Sequence, residues 1–356
     1  MSSLSGIWPA AACLVTLLGH ALGVSLDLSD LPTEHVPYFL QRRPDLWASC
    51  LQQPSCPYKQ SLKNFKRCFG YFGKNCDLTN SFKRPVCSKP SRWPGASTKD
   101  KQTRIFWEQG DFGYIRSRLE QMSHICSPQN DDDAEVICSD HLRYCSIRNV
   151  FINFRDLNLA NNHNKYREDL LRPGDVGGRC TLNKEILLAR SDHKSPLQSW
   201  ATELLTFTAV DPFSVDSAHC DIIFEKPTVL IKLDAGVSMY HHFCDFLNLY
   251  ASQHLNGSFS RDIHIILWDT SNWPYNDLFK ETWSAFTQHP LLQLKDLSGK
   301  MLCFKDAMLP LLARMQFGMY YNMPLIDGCS GSGLFRAFSQ HILHRLSIPQ
   351  QRPKVG

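Results

Sequence analysis

The stretch Lys232–Phe246, KLDAGVSMYHHFCDF, places two acids and two adjacent imidazoles between an apolar run and an amphipathic segment. The acids are Asp234 and Asp245, and the imidazoles are His241 and His242. A nearby carboxylate orients an imidazole and stabilises its charged form. Such a pair is suited to take the proton of an attacking hydroxyl as a general base. This stretch is the first candidate for a catalytic site.

A strand and a helix are predicted to position these side chains. The apolar run ends near Lys232, so Asp234 follows the carboxyl end of a strand, where open α/β sheets bind ligands. The helix is predicted over His241–His254, and its first two histidines precede Asp245 by four and three positions. Residues at these spacings are neighbours on a helix surface. Tyr240 immediately precedes the helix and is a candidate substrate-binding residue, as is Asp234.

Two other interpretations of the histidines stay open. An apolar stripe on the same helix means that they could simply flank a buried helix; its members are Phe243, Phe246, Leu247 and Tyr250. Adjacent histidines also suggest metal binding, but no third ligand is evident in the sequence. Catalysis or ligand binding, a structural role and a metal site are all compatible with this spacing.

A second candidate position follows the next predicted strand. The run Asp262–Asp269, DIHIILWD, predicts a buried strand that ends with Trp268 and Asp269. Its carboxyl end is a suitable place for a contact with an acceptor substrate. An ordinary turn at the end of a strand fits the same two residues.

A Gly/Ser-rich segment raises the possibility of a phosphate site. Gly328–Phe338, GCSGSGLFRAF, precedes a helix predicted over Leu334–Leu346, and its N–H groups could hold a phosphate. It matches neither the Walker nor the Rossmann fingerprint, so a plain helix-entry turn is favoured. His341 and His344 on that helix are predicted to lie at the surface.

The last part of the chain alternates strands and helices. Helices are predicted at 196–207, 241–254, 277–286 and 334–346, and strands within 220–233 on both sides of Lys226-Pro227, at 262–269 and at 301–304. This alternation predicts a parallel sheet covered on both faces. The pattern requires a further strand after the last helix, so we expect the chain to be truncated.

The middle of the chain has a mixed pattern. Phe112, Ile115, Leu119 and Met122 form a helical stripe, and Val150–Phe154 is a short strand candidate. We interpret Asp131–Asp133 as a solvated loop, and Asp175–Cys180, DVGGRC, as a turn rather than a nucleotide loop.

The N-terminus has the pattern of a secretory signal peptide. Ile7–Leu18 is an apolar run, followed by small residues at Ala21 and Gly23, although no Lys or Arg precedes it. A signal anchor is the alternative, but the run is short for a membrane span, and no later stretch reaches the length of a span. We therefore expect no transmembrane span in the mature chain. Asn256-Gly-Ser258 is an N-glycosylation sequon, which suits a lumenal loop.

Cysteine content agrees with an oxidising compartment. Of 14 cysteines, Cys13 lies in the predicted signal peptide, so an odd number remains and at least one is free or pairs with another chain. Five fall in a loop-rich segment without a CxxC pair, which favours a disulfide-stapled region over a metal site; they are Cys50, Cys56, Cys68, Cys76 and Cys87. Their pairing is not readable from the sequence.

Four regions follow from these patterns: a signal peptide at 1–23, a Cys-rich disulfide-stapled region at 24–98, a mixed helical and strand connecting region at 99–194, and an α/β region at 195–356. The net charge is only +4, and the basic residues are scattered, so nothing indicates nucleic-acid binding.

Several motifs together resemble the EGF-domain-specific O-linked N-acetylglucosamine transferases of the endoplasmic reticulum, within the family-61 glycosyltransferases. The two specific matches are KLDAGVSMYHHFCDF and KSPLQSW at Lys194–Trp200; shorter ones are CPYK, PVCS, DFGY, EKPT, LFRAF and HRL. The resemblance covers nearly all of the mature chain.

The resemblance implies a glycosyltransferase type B fold, of which 195–356 would be the first Rossmann-like lobe. It implies inverting transfer of GlcNAc from UDP-GlcNAc to Ser or Thr of EGF-like repeats, such as those of Notch receptors, in the endoplasmic reticulum lumen. His241, His242 and Asp245 would then be catalytic, with Asp245 or His242 binding or deprotonating the acceptor. Asn256 is the predicted glycosylation site, and the need for a divalent metal stays undetermined.

Two departures from the family bear on activity. Relatives continue into a second lobe, expected to contact the UDP-sugar, and then into a retention tail; without that tail, secretion is the alternative location. Relatives also carry an Asp-x-Asp stretch after a W-x-A-F-T segment, whereas this chain has Gln288-His289-Pro290 after Trp283–Thr287. A metal-assisted role at that place therefore lacks its acids.

We expect this chain to be inactive alone and the longer form to carry the family activity. A non-catalytic short form that binds EGF repeats, and an unstable fragment with an uncovered sheet edge, are the alternatives.

Overall fold

The computed structural model describes residues 31, 35–36, 40, 44–56, 58–59, 86–89, 95, 97–192, 195–314, 319 and 328–349. The predicted signal peptide, Cys68 and Cys76 lie outside these residues, as do the Lys194 end of KSPLQSW and the segment after Pro349.

The described helices and strands are as follows. Helices are α1 Pro44–Gln52, α2 Lys99–Gly110, α3 Phe112–Glu120, α4 Lys184–Ala189, α5 Ala201–Leu204, α6 Met239–Asn256 and α7 Gly333–Arg345, with 3₁₀ turns at Asp140–Leu142, Lys280–Ala285 and Leu294–Leu297. Strands are β1 Val86–Cys87, β2 Ser123–Ser127, β3 Glu135–Cys138, β4 Cys145–Asn153, β5 Val176–Gly178, β6 Thr181–Leu182, β7 Phe207–Ala209, β8 Ile222–Phe224, β9 Thr228–Ile231, β10 His264–Leu267, β11 Leu292–Gln293, β12 Met301–Leu309 and β13 Cys329–Ser330.

Among the described residues, eleven strands form one sheet, in the order β11-β10-β9-β12-β4-β3-β2-β6. Off this path, β8 pairs with β12, and β5 lies between β4 and β7. The pairs among β8 to β12 are all parallel, whereas β2, β3, β4 and β6 pair antiparallel. The fold is therefore α/β with a mixed sheet.

The parallel sheet predicted for 195–356 is confirmed for the pairs among β8 to β12, but the same sheet continues antiparallel into β4 of the connecting region. β4 runs antiparallel to β12 from Met301 opposite Asn153 to Leu309 opposite Cys145. The strand predicted at Val150–Phe154 is real but is the end of this longer strand, and the strand predicted at 301–304 continues to Leu309. Strands β4 and β12 are long because each pairs with other strands along both of its edges. The apolar pattern within one segment does not show this pairing.

The turn predicted at Asp175–Cys180 contains strand β5 instead. A Cβ atom added at Gly177 would lie 2.5 Å from the Thr208 oxygen, and one added at Gly178 would lie 2.4 Å from the Ala134 Cβ. Neighbouring backbone approaches too closely for any side chain here, and glycine is the residue that permits it. The two glycines therefore serve strand packing rather than a turn.

Two predicted helices are shorter or tighter than expected. In the segment predicted as helical at 196–207, only α5 is helical, because Phe207 already belongs to β7, where it pairs with Val176. The segment predicted at 277–286 contains the 3₁₀ turn Lys280–Ala285. The helices predicted at 241–254 and 334–346 are confirmed as α6 and α7.

Helix α6 forms the floor beneath the candidate site. It ends at Gly257, whose φ of 68° is the left-handed conformation that glycine adopts without a Cβ penalty. Every side chain from Cys244 to Leu255 is buried, and the helix packs against α3 and α7. Replacing a core residue such as Leu249 by alanine would cost about 2–5 kcal/mol. This packing holds the first turn of α6 in a fixed position.

The N-terminus of α7 is occupied by a carboxylate of the protein itself. Asp111 accepts hydrogen bonds from the backbone N–H groups of Gly333 at 3.1 Å and Leu334 at 2.8 Å, and Ser332 caps the N–H of Phe335. Burial raises the pKa of Asp111 to about 6, against the lowering effect of these bonds. The helix-entry turn predicted at 328–338 is confirmed, and Asp111 takes the place that a phosphate would use.

Three buried imidazoles cluster between α6, α7 and the N-terminal segment. His254 and His341 pack against the Tyr250 ring, at 4.6 and 4.9 Å between centroids, and His35 stacks on His341 at 6.5 Å. Arg345 lies on the same helix as His341 and donates to the Ala285 oxygen at 2.7 Å. Burial lowers the pKa of His341 well below its usual value and that of His35 to about 4. The predicted surface position of His341 is therefore wrong, whereas His344 is exposed.

Five disulfides connect the described cysteines: Cys50–Cys56, Cys87–Cys329, Cys126–Cys180, Cys138–Cys145 and Cys220–Cys303. Cys87–Cys329 joins β1 to β13 across 242 residues and so ties the N-terminal region to α7. Among the described cysteines, Cys244 is free and buried.

The acidic run at 131–133 is only partly a solvated loop. Asp131 and Asp132 are exposed, but Asp133 is buried, where it accepts from the backbone N–H groups of Gln129 and Asn130 and pairs with Arg179. Within the part of the chain that the structure describes, none of the helices combines the length and hydropathy that crossing a membrane requires.

Candidate functional site

Three parallel strands deliver side chains to one edge of the sheet. β9, β10 and β12 run in the same direction, so their carboxyl ends lie together. Asp234 follows β9, Asp269 follows β10 and Arg314 follows β12. This is the edge at which open α/β sheets bind ligands.

Asp234 lies at the centre of this edge, between two cationic or ionisable partners. Its carboxylate has no exposed surface, and its Oδ2 lies 2.8 Å from Nδ1 of His241. Its other oxygen, Oδ1, accepts a hydrogen bond from Nε of Arg314 at 2.7 Å. The His241 and Arg314 side chains remain 31% and 44% exposed. The geometry therefore presents an accessible imidazole that a buried carboxylate orients.

His242 belongs to a different, fully buried layer. Its Nε2 lies 2.8 Å from Oδ2 of Asp277, and its Nδ1 lies 3.5 Å from Oδ2 of Asp245. The side chain of His242 has no exposed surface, and each of the two carboxylates has 1%. The predicted contact between His242 and Asp245 is present, whereas the carboxylate partner of His241 is Asp234 rather than Asp245.

The two layers meet at the backbone of Asp234. Its N–H donates to both oxygens of Asp245, at 3.1 and 3.0 Å. Burial raises the pKa of Asp245 to about 6, against the lowering effect of hydrogen bonds from His242 and from this N–H. Asp245 therefore fixes the corner between β9 and α6, on which His241 depends for its position.

Asp277 collects four donors in the buried layer. Besides His242, it accepts from the backbone N–H of Phe279 at 2.6 Å, from Nε1 of Trp283 at 2.8 Å and from the hydroxyl of Tyr275. Burial alone would raise its pKa, but these hydrogen bonds outweigh burial and lower it. The loop after β10 is thus anchored to the first turn of α6 by one carboxylate.

Residues 165–167 of the middle region, called the strap from here on, cross the same carboxyl ends of the strands. Lys165 donates to the Leu233 oxygen at 3.1 Å, and the Tyr166 hydroxyl donates to the same oxygen. Thr270 accepts from the N–H of Arg167 at 2.9 Å. Burial, followed by nearby carboxylates including Asp245, raises the pKa of Tyr166 well above its usual value. The strap holds the backbone that precedes Asp234.

The remaining sequence-predicted residues lie in different surroundings. Tyr240 is 56% exposed and touches the His241 ring, at 5.4 Å between centroids. Trp268 is buried between Phe154 and Trp200, and its predicted contact with a substrate stays a prediction. Asp269 is half-buried and accepts from the N–H and hydroxyl of Ser271. Asn256 is partly buried at the end of α6, far along the helix from His241, and accepts from Tyr144 at 3.3 Å.

Sequence reasoning missed Arg314 and Asp277. Arg314 follows β12, whose end was placed five residues too early, and only the sheet order brings that end beside Asp234. Asp277 precedes a 3₁₀ turn in a segment that resembled an amphipathic helix. Among the described residues, no three His, Cys, Asp or Glu side chains are grouped as metal ligands.

This geometry suits one kind of chemistry. An imidazole with Nδ1 held by a carboxylate presents its other nitrogen, Nε2, as the proton acceptor. A partly exposed base at the ligand-binding edge can remove a proton from a hydroxyl that approaches from solvent.

Comparison with curated proteins decides the family. The chain is 46% identical over 327 residues to the EGF domain-specific O-linked N-acetylglucosamine transferase of Canis lupus familiaris, which covers 92% of this chain. It is 48% identical over 336 residues to the protein of that name from Gallus gallus, and 41% identical over 343 residues to that from Drosophila melanogaster. The chain belongs to this transferase family. No protein-family model matches it.

The family members are longer than this chain. It spans 61%, 62% and 64% of the dog, chicken and fly transferases, or about three-fifths of their length.

Family members were expected to carry an Asp-x-Asp stretch where this chain has residues 288–290. These residues lie at the amino ends of the parallel strands, at the opposite end from Asp234. Thr287 donates to the Ile263 oxygen, and His289 lies 2.6 Å from Asp262, both just before β10 begins. A hydrogen bond from Lys226, followed by one from His289, lowers the pKa of Asp262 to about 2. The departure at 288–290 therefore does not alter the candidate site.

Proposed function

We propose that this chain is part of a transferase that moves GlcNAc from UDP-GlcNAc to a Ser or Thr hydroxyl of an EGF-like domain, with His241 as the general base. The observation that carries the proposal is the accessible His241, held at 2.8 Å by the buried carboxylate of Asp234. The names of the relatives supply the sugar and the acceptor domain.

The proposed chemistry is a single displacement. Nε2 of His241 takes the proton of the acceptor hydroxyl while the hydroxyl oxygen forms a bond to the anomeric carbon of GlcNAc. The bond between that carbon and the UDP oxygen breaks, and UDP leaves on the opposite face with the bonding electrons. The configuration at the anomeric carbon is therefore inverted. Asp234 stabilises the imidazolium that results.

The buried layer has a positioning role in this proposal. His242 and Asp245 were predicted to contact the acceptor, and that role stays a prediction. Their burial suits them instead to holding the corner from which His241 projects. In the proposed assignment, Asp245 fixes the backbone of Asp234, and Asp277 fixes His242.

We propose further that residues 195–356 belong to a first Rossmann-like lobe of a glycosyltransferase type B fold, located in the endoplasmic reticulum lumen. The parallel strands β9, β10 and β12 support this assignment, because their carboxyl edge carries the site. The remaining two-fifths of the relatives' length is expected to bind UDP-GlcNAc, so this chain alone should turn over little.

The test is a transfer assay on a chimera that joins this chain to the remaining part of the chicken transferase. The acceptor is a folded EGF-like domain, and the product is detected by mass spectrometry as the addition of one N-acetylhexosamine. His241→Ala should lower kcat by about 10²–10⁴-fold, the contribution of a positioned general base. Asp234→Asn should lower kcat less, because the imidazole remains but loses its orienting charge.

The matched control is His124→Ala, since His124 is 50% exposed and pairs with Glu135 away from the site. It should leave kcat unchanged. Turnover of His241→Ala at the unaltered rate would remove His241 from the mechanism. Absence of any transfer by the unaltered chimera would contradict the proposed function itself.

A further inference from the structure

Exposed hydrophobic side chains are concentrated beside His241. Ten large hydrophobic residues are strongly exposed among those the structure describes. Half of them lie between β9 and the first turn of α6 or in the loop that follows β10. These five, called the apolar rim from here on, are Val237, Met239, Tyr240, Trp273 and Leu278, with exposures from 56% to 66%. Grouped exposed hydrophobic residues mark interaction sites more often than scattered ones do.

The two loops of the rim are joined to each other. The N–H of Leu278 donates to the Gly236 oxygen at 3.2 Å, and the rings of Phe243 and Phe279 lie 5.8 Å apart. A Cβ atom added at Gly236 would lie 2.9 Å from the Asn276 oxygen, so the loops are in van der Waals contact. The buried Asp277 anchors the second loop to α6, as described above. The rim is therefore a surface on a fixed support.

The rim carries almost no charge. Residues 235–243 and 271–279 contain three acidic or basic side chains, those of His241, His242 and Asp277. The side chains of His242 and Asp277 are buried. Among the described residues, charged side chains lie only at the border of the rim, with Lys280 and Glu281 exposed after the second loop and Arg314 44% exposed beside Asp234. The five rim residues themselves therefore offer a partner apolar contact.

The position of the rim indicates what binds to it. Tyr240 directly precedes His241, so a molecule that brings a hydroxyl to His241 also covers the residues next to it. A stable protein interface buries about 800 Å² on each partner, roughly 20 residues. A footprint of that size centred on His241 includes Met239 and Tyr240, and it reaches Leu278 through the contact between Leu278 and Gly236. A folded domain presents such a surface, with its apolar contacts at the centre.

We infer that the apolar rim is the docking surface for the acceptor domain, and that it takes an uncharged, apolar surface of a folded EGF-like domain beside the modified hydroxyl. This inference rests on the proposed function, and it adds where the acceptor binds and by which contacts. Met239, in the first turn of α6, and Leu278, in the loop after β10, are its best probes, because neither side chain takes part in the hydrogen bonds that hold His241.

The experiment measures binding of the 1–356 chain to an immobilised, folded EGF-like domain by biolayer interferometry. Met239→Asp and Leu278→Asp should each raise Kd by about ten-fold or more, as expected for residues at the centre of an interface. The matched control is Leu188→Asp on α4, because Leu188 is 65% exposed and lies outside the rim. This control should leave Kd within about two-fold.

One further measurement separates this inference from the proposed function. In the chimera, Met239→Asp and Leu278→Asp should raise KM for the acceptor domain by about ten-fold or more, whereas His241→Ala should lower kcat.

The outcomes are distinct. Unaltered binding by both Met239→Asp and Leu278→Asp would overturn the docking inference and leave the proposed function standing if the chimera still transfers GlcNAc. No binding of the domain by the unaltered chain would also overturn it. If the two substitutions instead abolish self-association seen by analytical ultracentrifugation and leave Kd unchanged, a second copy of the chain is the occupant.

Discussion

Asp277 should be essential to stability although it does not face solvent or acceptor. Asp277→Ala removes a carboxylate with 1% exposure that accepts from His242, Trp283, Phe279 and Tyr275. Each hydrogen bond to a charged group is worth about 1.5–3 kcal/mol, but the four share one acceptor and their energies do not add. Each buried donor left without an acceptor costs about 1–3 kcal/mol, so with this non-additivity we expect a total loss of about 3–5 kcal/mol.

This loss is a large part of the 5–15 kcal/mol by which folded proteins are usually stable. Urea denaturation followed by tryptophan fluorescence should show a lower midpoint at an unchanged slope, since the unfolded surface is the same. In thermal unfolding, at about 2–4 °C per kcal/mol, Tm should fall by about 6–20 °C.

The matched control is Asp169→Ala. Asp169 also holds a charged partner, Arg167, at 2.8 Å, but its side chain is 75% exposed. Exposed ion pairs contribute little to stability, so the urea midpoint should not move measurably. A loss below about 1 kcal/mol for Asp277→Ala would refute the argument, because it would mean that the four donors find water or other acceptors when the carboxylate is removed.

Other substitutions test the remaining buried polar groups. Burial lowers the pKa of His35 from 6.5 to about 4, so the unfolded chain takes up the proton first as pH falls. Roughly 3 kcal/mol of stability should therefore be lost between about pH 6.5 and pH 4. His35→Phe should flatten the dependence of the urea midpoint on pH in that range, whereas His124→Phe, at an exposed position, should not. Lys232→Met should lower the free energy of unfolding by about 3–5 kcal/mol, measured by calorimetry, because Lys232 is 1% exposed and lies 2.7 Å from Glu203. Adding Glu203→Leu should recover most of that loss. No recovery would contradict a buried ion pair. Asp111→Ala should lower stability by about 1–3 kcal/mol and increase hydrogen exchange at the first turn of α7, because two backbone N–H groups lose their acceptor; unchanged exchange there would contradict the cap.

The acid sensitivity of His35 depends on the whole cluster. The His341 ring stacks on that of His35, with centroids 6.5 Å apart. After burial, the nearby charges of Arg345 and His35 lower the pKa of His341 further. Because each imidazole disfavours a charge on the others, protonation of one should open the packing between α7 and the N-terminal segment.

Local pattern was enough to predict the elements that hold the candidate site. The β-branched runs at 222–231 and 262–267 gave strands β8, β9 and β10, and the stripe from Phe243 to Tyr250 gave helix α6. Apolar residues recur every second position or continuously in a strand, and about every 3.6 positions in a helix. Both patterns can be recognised within one segment of the chain. The placement of Asp234 at a strand-to-helix corner followed from these periods alone.

Elements that depend on neighbours were predicted wrongly. The glycines of β5 resemble a turn unless the close approach of Thr208 and Ala134 is known. β4 and β12 could not be recognised as antiparallel, because strand direction is set by long-range hydrogen bonding. His341 resembles a surface histidine on an amphipathic helix until the N-terminal segment covers it.

The sequence by itself determined which residues meet within one segment: Asp234 before the helix, and His242 three positions before Asp245. Only the tertiary structure decided which of them are accessible. It buried His242 beside Asp277 and left His241 partly exposed. It also brought Arg314, which follows β12 and lies 80 residues further along the chain, to the other oxygen of Asp234. The physical reason is that helical and strand periods fix local geometry, whereas burial and long-range charge pairing depend on how separate strands align in the sheet.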